Sequence, residues 1–139
     1  MTRLLGYHLA QASIPTNNIF KKQIGAQFQL NKLEFTILML LSSNDEVTSK
    51  RLSVALNTPA PNLTLILDRL EKREFVVRVR SQTDRRVQRV ELTCQGQLVV
   101  KEMDALSEAM EVELLGHLTP AEQAMLFELL RKVAAHRRG

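Results

Sequence analysis

Residues 48–93 read TSKRLSVALNTPAPNLTLILDRLEKREFVVRVRSQTDRRVQRVELT. Thr48 is a side-chain cap for a short helix with Leu52, Ala55 and Leu56 turned inward and Asn57 closing it. Thr58-Pro59 opens a longer helix reaching Arg73, with Pro59 at the first helical position, where a missing N–H costs nothing. Leu63, Ile66, Leu67 and Leu70 recur at i, i+3, i+4 and i+7, which predicts a buried stripe. The same arithmetic puts Pro61, Leu65, Asp68 and Lys72 on the outward face, with Asn62 and Arg69 beside them. Val76–Arg80 and Val87–Leu92 then alternate. They predict a two-stranded ribbon whose buried face is Val77, Val79, Val90 and Leu92 and whose tip is Ser81–Arg86. Such a ribbon is marginal in water, so it must lean on the helices.

The flanks are helical. Between residues 2 and 28, Leu5, Leu9, Ala12, Ile19 or Phe20, Ile24 and Phe28 keep three- and four-residue spacings. Pro15 interrupts them and predicts either a kinked helix or two pieces, with Ser13 a candidate cap for the second. Asn31 and Glu34 form a capping-box pattern before LEFTILMLLSS, which is apolar almost all round and so belongs in the middle of the domain. Beyond the ribbon, Thr93 caps a long helix with the stripe Val99, Met103, Leu106, Met110 and Leu114, ended by Gly116. Thr119-Pro120 with Glu122 opens the last helix, where Met125, Leu126, Leu129, Leu130 and Val133 are apolar, before an HRRG tail that should fray. The fold class is mainly α with a small β-wing, a winged helix-turn-helix.

A chain of 139 residues with 45% hydrophobic and 24% charged residues is one soluble domain. With no Trp and 4% aromatics, a base-stacking surface for single strands is not expected. The charge is unevenly laid out: Asp68–Arg89 holds eight basic residues against four acidic, whereas Lys101–Glu128 holds one Lys against seven acidic residues. One end suits a polyanion and the other does not. Cys94 is alone, so a disulfide framework or cysteine metal site is not expected, and a redox role would rest on its place in a helix's first turn. His8, His117 and His136 share no helix, so no metal is expected; no cofactor is implied. No catalytic constellation stands out, so no enzyme is expected. The start lacks a signal-peptide pattern and no apolar run reaches membrane-span length, which predicts a soluble cytoplasmic protein.

The major groove of B-DNA admits one helix and displays distinct donors and acceptors. Asn62 and Thr64 sit near the helix N-terminus, where recognition helices meet bases; Asn62 either pairs with adenine or satisfies local backbone groups. Arg85 and Arg86 repel each other at a hairpin tip unless an anion waits there, and a narrow minor groove provides that potential. Asp84 would orient a guanidinium rather than touch DNA. Lys50, Arg51, Arg73, Arg78 and Arg89 are either phosphate contacts or solvated charges.

Asp68-x-Leu70-Glu71, then Asp84-x-Arg86, then Leu92-Thr93-x-x-Gly96 resembles the MarR family of winged-helix transcriptional regulators, over essentially the whole chain. The resemblance implies a homodimer in which the first, fifth and sixth predicted helices interlock, with recognition helices in successive major grooves. It implies minor-groove contact by Arg85 and Arg86 and base or backbone contact by Pro61, Asn62 and Thr64. On this reading residues 1–30 and 97–139 dimerise, and residues 31–96 form the DNA-binding lobe. Leu65 stands where many members carry a base-reading arginine, and Glu74 where a glycine is usual. Pairing would bury Leu5, Leu126, Leu129, Leu130 and Val133, which a monomer would expose, and set half-sites ~34 Å apart. The partners expected are double-stranded DNA with a pseudo-palindromic operator, a second copy of the chain, and a small effector. Members commonly bind aromatic or phenolic acids, for which Tyr7, His8 and Asn17 are the candidate contacts. The implied function is a transcriptional regulator, most often a repressor, released by such a ligand. The alternative is a winged-helix module that binds protein and no DNA.

Overall fold

The computed structural model describes residues 2–137. Helix α1 (Leu5–Phe20) runs through Pro15 without interruption, passes into a π-helical turn at Lys21–Gly25, and ends as α2 (Ala26–Phe28). The departure from α geometry therefore comes six residues after the proline, which does not split the helix. Ser13 caps nothing: its hydroxyl donates to Ala10 O at 2.6 Å, and the Thr16 hydroxyl donates to Ala12 O at 2.7 Å. Every residue from Arg3 to Thr16 is exposed. Gln29, left-handed at φ 54°, turns the chain back.

Helix α3 (Lys32–Ser43) begins with the expected capping box: the Glu34 N–H donates to Asn31 Oδ1 and the Asn31 N–H to Glu34 Oε1. Ile37 and Leu38 are fully enclosed, and Phe35 meets Phe20 edge-on at 5.3 Å. Helix α4 (Ser49–Ala55) is capped by Thr48, buries Leu52, and closes at Asn57 with φ 48°. Ala55, expected inside, is exposed, and Leu56 is half-buried. Helix α5 (Ala60–Lys72) starts one residue later than expected: Pro59 is its extended N-cap, and Pro61 takes the proline-tolerant first turn. Leu63, Ile66, Leu67 and Leu70 are buried as the stripe predicts.

Strands β1 (Val76–Arg80) and β2 (Gln88–Leu92) pair antiparallel, with Val76 opposite Leu92 and Arg78 opposite Val90. Here the expected phase of β1 is wrong by one residue. Val76, not Val77, is enclosed with Val90, and Val77 is 40% exposed. Arg78 takes the inward position because two carboxylates of α5 receive its guanidinium, a partnership that alternation of valines cannot reveal. The other edge of β2 is tied back to the chain before α4, where the Val90 N–H donates to Val47 O at 2.9 Å.

Helix α6 (Cys94–Leu115), capped by Thr93, crosses the domain, and Val100 joins Met103 in the core although the sequence stripe omitted it. Gly96 lies so close to β1 that a Cβ there would collide with the Phe75 carbonyl oxygen. Helix α7 (Pro120–Ala135) carries the Thr119/Glu122 capping box and buries no residue. Of the HRRG tail, residues 138–139 lie outside the described residues.

Candidate nucleic-acid interface

Helix α5 and the wing are joined by one arginine. Arg78 Nη2 lies 2.6 Å from Asp68 Oδ1 and 2.6 Å from Glu71 Oε1, and its Nε donates to Glu71 Oε1 at 3.1 Å. Asp68 and Glu71 are one turn apart on the wing-facing flank of the helix. The side-chain bonds from Arg78 hold the Glu71 carboxyl below the usual carboxylate range, with burial opposing them. The same bonds raise Arg78, with Glu71 as the larger cause. Arg78 was a phosphate candidate in the sequence; its side chain is only 18% exposed and committed to the helix.

Pro61, Asn62, Thr64, Leu65 and Arg69 are all exposed, so the outward face of α5 is as the spacing placed it. Their chemistry is uneven. The Thr64 hydroxyl donates back to Ala60 O at 3.0 Å, and Arg69 Nε lies 3.5 Å from Glu34 Oε2. Asn62 makes no side-chain hydrogen bond within the described residues, and Leu65 is 61% exposed.

At the wing tip Ser81 Oγ accepts the Asp84 N–H, and the Val87 N–H donates to Asp84 O, which closes a compact loop. Asp84 orients Arg86 as expected: Oδ1 accepts the Arg86 N–H at 3.0 Å and its Nε at 3.1 Å. The Arg86 guanidinium, and then its N–H, draw Asp84 below its ordinary range. Even so the Arg86 side chain is 92% exposed, so the ion pair aims it without hiding it. Arg80 braces the neighbouring residue by donating to Arg85 O at 2.6 Å. Within the described residues the Arg85 side chain makes neither hydrogen bond nor ion pair.

Of the other phosphate candidates, Lys50 and Arg51 are exposed on α4. Arg89 is 3.7 Å from Glu91. Arg73 serves the scaffold: it donates to Gln29 O and Phe28 O and lies 4.8 Å above the Phe75 ring. Glu74 keeps the left-handed conformation, φ 66°, that a glycine would take more easily, and the Phe75 N–H reaches Leu70 O to finish α5. So the helix ends in the usual manner despite the residue.

The effector candidates are not gathered. Tyr7 meets His8 edge-on at 5.5 Å near the exposed start of α1. Asn17 instead borders a cavity of about 420 Å³ with Phe20, Lys21, Gly25, Leu30 and Lys32 around it. The dimerisation candidates are on the surface: Leu5 is 48% exposed, Leu129 and Val133 51%, and Leu130 37%, with Leu126 half-buried. Cys94 is exposed at the start of α6. Sequence reasoning took Arg78 for a phosphate contact or a solvated charge and missed its pairing with Asp68 and Glu71, as it missed buried Glu34 as the partner of Arg69. A cation in the inward phase of β1, facing acidic residues one turn apart, was the available signal.

A sequence model of the MarR family matches residues 30–87. YpoP, an HTH-type transcriptional regulator of Bacillus subtilis, is 30% identical over 105 residues, which span 76% of this chain and 74% of that protein. Among solved structures, the transcriptional repressor CouR bound to a 23-mer DNA duplex superposes with a TM-score of 0.86 at 30% identity, covering 94% of this chain and 92% of that one. BpsR of Bordetella bronchiseptica, whose DNA binding is regulated by 6-hydroxynicotinic acid, superposes with a TM-score of 0.86 at 25% identity, covering 97% and 96%.

Proposed function

This chain belongs to the MarR family, and from that premise we propose how it regulates transcription. It binds operator DNA, and the working unit is a homodimer: residues 1–30 and 97–139 hold two copies together, and residues 31–96 of each read one half-site. Helix α5 enters the major groove with Pro61, Asn62, Thr64 and Leu65 at the bases and Arg69 at the backbone. Arg85 and Arg86, aimed by Arg80 and Asp84, enter the flanking minor groove. The action is repression in the cytoplasm, relieved when a small aromatic acid binds; the apolar cavity beside Asn17, with Lys21 and Lys32 at its rim, is the site that suits one. This is a regulator and not an enzyme.

The observation that carries the reading is the Arg78 clamp, which holds a groove-sized helix beside an arginine tip. A helix and wing joined in this way present a single surface, as simultaneous contact with adjacent grooves requires. A protein-docking winged helix would draw on exposed Leu65 and Val77 instead. Selection from a random duplex pool at low salt tests the choice. A pseudo-palindromic site should emerge, and Arg85→Ala or Arg86→Ala should weaken it by about 1–3 kcal/mol. A folded dimer with no affinity for any duplex would favour protein docking.

A further inference from the structure

Between Asn62 and Asp68 the groove-facing side of α5 carries one polar side chain, Thr64, whose oxygen is left only as an acceptor. Leu63, Ile66 and Leu67 are buried, and the Thr64 hydroxyl is donated to Ala60 O. Leu65 stands at the centre of that side, with Pro61 one turn before it and Asp68 and Arg69 one turn after. It is 61% exposed although it is an unbranched-stem aliphatic with nothing to gain from water. Of the flanking charges, Asp68 is 2.6 Å from Arg78, and Arg69, 3.5 Å from Glu34, keeps donors free for the backbone. Against base edges, an apolar knob at the centre of the helix face is complemented by an apolar feature opposite it. On the floor of the major groove the C5-methyl group of thymine is the one such feature of the four bases, and 5-methylcytosine carries its methyl at the same ring position.

We propose that Leu65 is a specificity-determining residue that reads a C5-methyl group at one position of each half-site. Thymine satisfies it, and so does a methylated cytosine, whereas uracil and unmethylated cytosine do not. This rests on the DNA-binding reading above, and its test separates the two. In the duplex selected from the random pool, each thymine is replaced singly by deoxyuridine, which removes the methyl and leaves base pairing intact. One position per half-site should lose about fourfold in affinity, the worth of one buried methyl, and about sixteenfold when both half-sites are changed. Cytosine placed there should bind weakly and 5-methylcytosine should recover about fourfold. In Leu65→Ala the thymine–uracil difference at that position should vanish while the other positions keep theirs; an exposed residue can be truncated without loss of the fold. No methyl-sensitive position, or one whose sensitivity survives Leu65→Ala, overturns the proposal with DNA binding intact. Failure to bind any duplex overturns the reading beneath it as well.

Discussion

The middle of the chain and its two ends use leucine in opposite ways. In the lobe, Leu38, Leu52, Leu63, Leu67 and Leu70 are buried within one chain. From Leu4 through Ile14 and along α7 the apolar residues stay largely out: Leu4 is 70% exposed, Leu9 45%, Met125 52% and Phe127 44%. Helix α7 buries nothing at all, yet its capping box is as well formed as that of α3. Local signals thus make good helices in both regions, but the one core is built from the lobe with Phe20, Ile24, Val100 and Met103, and the start of α1 and all of α7 lie outside it. The apolar faces of the first turns of α1 and of α7 are left without a partner inside the chain, whereas those of the lobe helices are not.

Breaking the ends should leave the lobe standing. Leu126→Glu with Leu130→Glu should halve the mass seen in sedimentation from twice the 15.8 kDa chain to once. Operator affinity should fall on the order of 100-fold or more as the second half-site is lost, and the circular dichroism of the lobe helices should persist. A dimer that survives both charges would mean that other surfaces hold the copies together. Breaking the lobe should act the other way. In Gly96→Ala the new methyl must displace the Phe75 carbonyl, where Thr93 N–H donates at 3.0 Å, so a loss of about 3 kcal/mol is expected in urea melts. An unchanged midpoint would show that α6 can slide off β1.

Much of this was legible in residues whose partners lie within four positions. The caps at Asn31, Thr48, Thr93 and Thr119, the stripe of α5, and the Asp84–Arg86 pair at the tip needed only local spacing. What escaped was settled by distant groups. The phase of β1 turned on acceptors in α5 that reward an inward Arg78; for α1 the sequence left a kinked helix and two pieces both open, and the irregularity lies at Lys21–Gly25. The effector candidates suffered in the same way: Tyr7 and His8 meet edge-on near the start of α1, but the cavity forms where α1 meets the start of α3, near Asn17.

The clamp can be loosened without opening the core. Arg78→Gln leaves Asp68 and Glu71 facing each other and removes three charged hydrogen bonds, which should cost about 1–2 kcal/mol of stability. Its stronger signature is coupling. If Arg78 positions the wing, Arg85→Ala should cost less operator affinity in the Arg78→Gln background than in the native chain, and additive losses would count against the clamp. The pH dependence has a definite sign. Glu71 titrates below its ordinary value when folded, so its stabilisation is complete above the ordinary carboxylate range and is lost as the pH falls through the lowered one. Arg78→Gln should remove that part of the acid sensitivity.

The smallest expected effect reverses direction. Glu74 ends α5 at φ 66°, where a side chain with a Cβ is strained by roughly 1 kcal/mol and glycine is not. Its backbone is already committed: the N–H reaches Glu71 O at 2.9 Å, and the carbonyl accepts the Thr93 hydroxyl. The side chain itself is exposed and makes no ion pair among the described residues. Glu74→Gly should therefore relieve strain without removing a contact, raising stability in urea melts by up to about 0.5 kcal/mol net of glycine's greater freedom when unfolded. It should leave operator affinity within about a factor of two, because only one charge near the backbone is lost. A destabilised Glu74→Gly variant would mean that the carboxylate works against the N-terminus of α6, where Thr93 begins the helix and a negative charge is favoured. The lobe would then depend on Glu74 for the junction between α5 and α6.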